Sequence, residues 1–308
     1  MKSEIENLTV VIRSVKERTE TLCKKFIIDQ GLDPADVHVI HEKPFSRAME
    51  VSYKIGLQSG KKWTYCVDAD VLLRKNSIVE MLTIANQQPE TTFGISGRLL
   101  DKLFGNTRSV GNHLFRTSYL HLMLDAIADF NDETIRPESS AKSALKRKDL
   151  KWDKKKVVIG LHDFEQHYYD IARKTLTHSH KHTEQLSELI TFWMSRCECD
   201  TDFKVALIGL AKGVSYFEDV KIDIDSFKVL NNQIEEKFGI KGVREDDFQV
   251  SSYRDIDDTL NSKNNFFEKN SKLDLKYNQI FVKKFYEKSY KDILVQFRKK
   301  ITKDIKSL

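Results

Sequence analysis

Four cysteines, four prolines and twelve glycines are few for a chain of 308 residues. Each scarcity excludes something. So little cysteine rules out a disulfide scaffold, and Cys23, Cys66, Cys197 and Cys199 lack the double-pair spacing of a structural zinc site. A reduced, cytoplasmic setting is expected, with the lone C-x-C read either as helix-end thiols or as half of a metal site. With 40% hydrophobic and 31% charged residues, the chain is neither disordered nor fibrous. No apolar run reaches the roughly 18 residues needed to cross a bilayer. The opening MKSEIENLTVV is acidic and polar, so neither signal peptide nor membrane helix is expected. Repeats and low-complexity tracts are also missing. A net charge of +5 is too mild at this length to argue for nucleic acid, and none is expected as a partner.

What is present is an alternation of strand and helix. Leu8 to Val15 (LTVVIRSV) reads as a strand and Lys16 to Gln30 as a helix. Val37 to His41 is a second strand, Ala48 to Ser59 a helix closed by Gly60, and Trp63 to Val67 (WTYCV) a third strand. Such β-α-β-α-β order predicts an α/β fold with a mostly parallel sheet, whose ligands collect beyond the carboxyl ends of the strands. Those ends carry Arg13, Ser14, Glu42, Asp68 and Asp70. Ser77 to Asn86 continues as helix and Thr92 to Ser96 as strand. Gly97 to Asn112 reads as a working loop and His113 to Ala128 as helix, while Asn131 to Lys156 is a lysine-rich surface excursion. Val157 to Gly160 returns to the sheet, His162 to Lys174 is helical, HSHKH (178–182) is a turn or short strand, and Glu184 to Arg196 an amphipathic helix. The reading divides the chain into a catalytic domain over 1–200 and a mainly helical region over 201–308, with a polar joint at 262–272. The tail from Lys283 carries nine Lys or Arg against three acids, with Phe285, Ile293, Leu294, Phe297 and Ile301 at helical spacing. It reads as a solvated outer helix or as a basic amphipathic helix docking peripherally on the inner face of a membrane.

Two short motifs carry chemistry. Asp68-Ala69-Asp70 directly follows the apolar strand WTYCV, and two carboxylates at i and i+2 past a strand can hold a hard divalent ion that bridges a diphosphate. The alternative is an ordinary Asp-rich turn. In Gly160-Leu161-His162-Asp163-Phe164-Glu165, the acids open a predicted helix, where they either serve the helix dipole or offer Asp163 as a general base.

Taken together, LTVVIRSVKERTETL, VHVIHEKPFSRAM, YCVDADVLL and HDFEQHYYDIARK occur in the order and separation of the GT-A fold nucleotide-diphospho-sugar glycosyltransferases. The first two hundred residues or so resemble the family-2-like, inverting members. The resemblance implies a GT-A (Rossmann-like) sheet, a nucleotide-sugar donor, a glycan, lipid-linked or other hydroxyl acceptor, and a divalent cofactor, Mn2+ or Mg2+. It implies Asp70 as metal ligand and Asp68 as shared between metal and ribose. Glu42 would read the base, with Arg13, Ser14 and Arg47 beside the nucleotide. Asp163 would be the catalytic base, and Glu165 a helper for acceptor or fold. The chain departs from the family at Ile12-Arg13-Ser14-Val15, where a Pro-Thr-Tyr-Asn-like turn is usual, and at His162, where Glu is usual. His162 would then be an acceptor contact or a partner of the base. A downstream His completes the metal site in related enzymes, and among His178, His180 and His182 the choice falls on His180. Arg98 and His113 are further substrate-contact candidates, whereas Trp63, Tyr65, Phe93 and Trp193 are expected in the core.

Two other readings stand beside this one. A haloacid-dehalogenase-type phosphohydrolase would use Asp68 as nucleophile and Asp257-Asp258 as its later acidic pair. A non-catalytic sugar-nucleotide-fold binding protein would keep metal affinity without turnover.

Overall fold

The computed structural model describes residues 2–128, 137–181, 185–214, 232, 234–236 and 238–262. Two compact units emerge. One comprises residues 1–102, 106–166 and 247–260, the other 103–105, 167–246 and 261–308. They do not follow a single cut at residue 200: the first unit runs to Gln166, and residues 247–260 return to it.

The first unit is an α/β layer structure. In chain order it contains α1 (Lys2–Ile5), β1 (Leu8–Arg13), α2 (Glu20–Ile28), β2 (Val37–Ile40), α3 (Phe45–Ser59), β3 (Trp63–Asp68), β4 (Val71–Leu73), α4 (Ser77–Asn86), β5 (Thr92–Asp101), β6 (Asn106–Arg108), β7 (Asn112–Arg116), α5 (Leu120–Ala128), α6 (Pro137–Lys146) and β8 (Lys151–His162). The sheet order is β2-β1-β3-β7-β5-β8-β4, with β6 hydrogen-bonded to β5. β1 pairs in parallel with β2 and β3. β7 lies antiparallel between β3 and β5, and β8 is parallel to β5. Strands β1, β2, β3, β5 and β8 therefore share one direction, the mostly parallel α/β sheet flanked by helices that the sequence predicts. β1, paired on both sides by β2 and β3, is buried along its whole length, which is why it reads as a largely apolar run. Gly60 closes α3 in the left-handed region at φ +66°, as predicted. A core of Met49, Tyr53, Cys66, Phe93, Phe115, Leu120, Met123, Ala141 and Leu145 joins α3, α5 and α6 to one face of the sheet.

Four local expectations are corrected. The loop expected over 97–112 is instead the end of β5 together with β6. The helix expected from His113 starts only at Leu120, because Asn112–Arg116 fills the sheet between β3 and β5. Part of the supposed surface excursion is α6, whose Pro137, Ala141 and Leu145 recur every four residues and are buried, and residues 151–156 belong to β8. Asp163 and Glu165 do not open a helix, which begins at Tyr168.

The second unit is helical among the described residues: α7 (Tyr168–Lys181), α8 (Leu186–Met194) and α9 (Thr201–Val214). Its core gathers Ile171, Leu176, Leu189, Trp193, Phe203 and Leu210 with Leu103 and Phe104. α9 approaches α7 closely through Gly209 and Gly213. A Cβ on Gly209 would collide with the Ala172 carbonyl oxygen, and one on Gly213 would stand 2.6 Å from that of Leu176. The chain then returns to the first unit as α10 (Tyr253–Asn261), where Tyr253 donates to the Phe26 carbonyl at 2.6 Å. His182, most of the polar joint and the basic tail from Lys283 lie outside the described residues. Among the described residues, no helix is long and apolar enough to cross a membrane.

Candidate active site

Strand register brings the two motifs together. β4 pairs antiparallel with β8, Val71 opposite His162, so the residue before β4 meets the residue after β8. The Asp163 amide donates to the Asp70 carbonyl at 3.3 Å. On its other side β8 pairs with β5, and His162 there stands opposite Asp101. The imidazole is thus set among three carboxylates. Its Nδ1 lies 3.1 Å from Asp101 Oδ2 and 3.2 Å from Asp163 Oδ2, and its Nε2 lies 3.6 Å from Asp70 Oδ1. Asp70, His162 and Asp163 are only 6%, 7% and 2% exposed. Burial by itself would lower the imidazole pKa. Asp163, Asp70 and Asp101 outweigh it and raise the group well above the usual histidine range, so this spot stabilises positive charge.

Asp70, His162 and Asp163 offer ligand atoms that all lie within 4.8 Å of one another. The hard carboxylate of Asp70 and the imidazole of His162 form a mixed donor pair that manganese-type ions accept, with the Asp163 carboxylate beside it. Donors held about 2.1 Å from a common ion lie roughly 3 to 4 Å apart. The 3.6 Å between His162 Nε2 and Asp70 Oδ1 falls in that interval. The donor set therefore fits a divalent ion. The histidine it uses is His162. The expectation of His180 on a strand is corrected: His178 and His180 lie in α7. His180 Nε2 stands 3.0 Å from the Gly213 carbonyl oxygen, within the helical unit.

Backbone geometry around the motif is strained. Asp163 (φ +64°) and Glu165 (φ +60°) both occupy the left-handed region, at a cost of roughly 1 kcal/mol or more each. Their neighbours hold them there. Glu165 accepts from Arg18 Nη1 and from the amides of Gln249 and Val250, each at 3.2 Å, and the Arg18 guanidinium lies 4.3 Å from the Phe248 ring centre. Glu165 thereby ties Gln249 and Val250 to Arg18. Gly111 (φ +60°) closes another wall, and a Cβ there would meet Val71 at 2.9 Å and His162 at 3.3 Å.

Asp68 takes a different path from Asp70. Arg13 and Asp68 end adjacent parallel strands in register, and Arg13 Nε donates to Asp68 Oδ1 at 2.8 Å. Arg13 also pairs with Glu138 at 3.1 Å, and its guanidinium lies 4.9 Å from the Phe45 ring centre. Glu138 lies 2.8 Å from His113 Nε2, while Lys142 Nζ donates to His113 Nδ1 at 2.9 Å. Burial pushes the Lys142 ammonium down to about 8, and burial pushes His113 down to about 4. Both ring nitrogens of His113 are thus engaged by α6. Ser14 is equally occupied: its hydroxyl stands 2.9 Å from Glu17 and 2.5 Å from Glu20, and it accepts from the Lys16 amide. Glu42 and Arg47 form a 3.7 Å surface pair, and Arg98 is exposed on β5.

Sequence reasoning missed Asp101, Glu138 and Lys142. Asp101 ends a strand that was expected to stop at Ser96. Glu138 and Lys142 lie one turn apart on a helix hidden in a lysine-rich stretch, where the four-residue spacing of Pro137, Ala141 and Leu145 was the available signal. Asp257 and Asp258, the later acidic pair of the phosphohydrolase reading, lie exposed on α10. Trp63, Tyr65, Phe93 and Trp193 are in the core, as expected.

No family model matches the chain, and no curated protein matches it. Solved structures do. A glycosyltransferase involved in glycosylation of the major capsid of PBCV-1 is similar at 9% identity and TM-score 0.36, over 48% of this chain and 82% of that one. The mannosyltransferase PcManGT from Pyrobaculum calidifontis, solved with GDP-Man and Mn2+, is similar at 9% identity and TM-score 0.38, over 76% of this chain and 81% of that one.

Proposed function

We propose that the protein is a glycosyltransferase that moves a sugar, hexosyl or N-acetylhexosaminyl, from a nucleotide-diphosphate donor to a hydroxyl acceptor. The donor is taken as a UDP-sugar, and the acceptor as a glycan, a lipid-linked sugar or another alcohol, as in polysaccharide synthesis. The observation that supports this reading best is the β4–β8 ladder, which sets the second Asp of D-A-D against His162 and Asp163. Asp70 and His162 would hold the divalent ion, Mn2+ or Mg2+, which when bound offsets the charge growing on the departing diphosphate. Asp163 takes the proton of the acceptor hydroxyl as its oxygen bonds to the anomeric carbon, whose bond to the diphosphate oxygen breaks with the electron pair leaving on phosphate. Attack opposite the leaving group inverts the anomeric centre. Asp68, with 28% of its side chain exposed while paired to Arg13, is the carboxylate that can meet a ribose hydroxyl. The proposed setting is cytoplasmic, with the basic tail as a contact for the inner face of a membrane. Equal sedimentation with anionic liposomes by the full chain and by a chain truncated at Lys283 would remove that contact.

The test is thermal stabilisation by UDP, GDP, TDP and the matching nucleotide sugars, with and without Mn2+, followed by nucleotide release. One diphosphate should stabilise the protein only with Mn2+, and Asp70→Asn should abolish the shift. Asp163→Asn should keep the shift and lose release by about 100-fold or more. No shift with any nucleotide, together with hydrolysis of a generic phosphate ester, would replace the proposal by the phosphohydrolase.

A further inference from the structure

Asp101 ends β5 and is completely buried. A carboxylate removed from water is costly unless cations and donors meet it. Here the β5–β6 hairpin brings Arg108 back, and Arg108 Nη1 donates to Asp101 Oδ2 at 3.0 Å. The same oxygen lies 3.1 Å from His162 Nδ1. The arrangement is set by register, since Asp101 and His162 are directly paired across β5 and β8.

An imidazole that binds a metal must keep its hydrogen on the other nitrogen, and the partner of that hydrogen selects which nitrogen is free. A carboxylate can only accept. With Asp101 Oδ2 and Asp163 Oδ2 both beside Nδ1, the hydrogen is kept there, and Nε2 is the nitrogen that gives up its proton when a cation binds. Nε2 is the nitrogen that faces Asp70. We infer that Asp101, held by Arg108, is a positioning residue. It fixes the ring orientation and tautomer of His162, so that Nε2 is presented to a divalent cation beside Asp70. The inference rests on the metal site proposed above.

The experiment is direct titration with Mn2+, followed calorimetrically and by the paramagnetic resonance signal of free Mn2+. It uses the full chain as wild type, Asp101→Asn, His162→Gln and the double variant. Asp101→Asn should weaken Mn2+ binding 10- to 100-fold, the range for a residue acting through a metal-bound histidine. In the His162→Gln background the same substitution should change affinity by less than about twofold, because its route of action is gone. A purely structural role would give the same loss in both backgrounds, and that result would overturn the inference. So would wild-type affinity in Asp101→Asn or in His162→Gln. Absence of Mn2+ binding by the wild type would instead remove the metal reading itself. Should Asp101→Asn fail to fold, Arg108→Gln, on a half-buried arginine, should show a smaller loss of roughly 3- to 10-fold that likewise vanishes without His162.

Discussion

Replacing His113 with glutamine should flatten the acid limb of the protein's stability curve. His113 is buried, with Nδ1 accepting from Lys142 and Nε2 directed at Glu138, an arrangement only the neutral ring can make. Burial lowers its pKa most; Glu138 opposes, Lys142 and Arg13 assist, and the group falls from 6.5 to about 4. A folded pKa below the unfolded one means that stability is fully present above pH 6.5 and is lost as pH falls toward 4. One unit is worth about 1.4 kcal/mol, so the whole loss is about 3 kcal/mol, and about 2.5 kcal/mol of it has occurred by pH ~4.5. That window is informative because Glu138, held well below its ordinary value chiefly by Arg13 against its burial, gives up its contribution only at lower pH. His162, raised by Asp163, Asp70 and Asp101 despite burial, has the opposite sign: its contribution is complete below pH 6.5 and fades as pH rises. Glutamine can donate to Glu138 and accept from Lys142 but cannot titrate in this range. Urea unfolding of both proteins at constant ionic strength from pH 7 to 4.5 provides the assay. The wild type should lose about 2.5 kcal/mol more than His113→Gln across the window. Parallel profiles would refute the buried neutral imidazole.

Arg13→Met should cost about 3–5 kcal/mol in denaturant unfolding, because it strands Asp68 and buried Glu138 without their shared cation. Glu165→Ala removes the acceptor of Arg18 and of two backbone amides, and should destabilise by a similar 3–5 kcal/mol; proteolysis should then cut first near residues 247–250. Gly111→Ala should cost about 1–2 kcal/mol through its left-handed backbone and crowding of Val71, read as a lower melting temperature. Because the added Cβ also presses on His162, the same variant should bind Mn2+ more weakly in titration.

Much of the sheet was legible because its central strands are buried on both faces. β1 and β3 read as continuous apolar runs, and α4 was delimited at Ser77 and Asn86 by periodicity alone. The misread elements share a cause. β7 carries helix-compatible residues but fills a slot between two strands, and α6 hides an apolar stripe among lysines; in both, tertiary context overrides local pattern. The histidines of HSHKH alternate as on a strand, yet His178 and His180 lie in α7, where His180 turns to the Gly213 carbonyl of α9.

By itself the sequence determined the α/β class, the strand that presents Asp68-Ala69-Asp70 and the short run that carries His162 and Asp163, because these depend on residues adjacent in the chain. Which groups meet was decided by the tertiary structure alone. β4 against β8 sets Asp70 beside His162 and Asp163, β5 against β8 supplies Asp101, and β1 against β3 gives Asp68 to Arg13. The reason is register: side chains alternate faces with a period of two, so a one-residue slip in any of these pairings would send the same residues to opposite faces of the sheet. Local pattern carries no record of that choice.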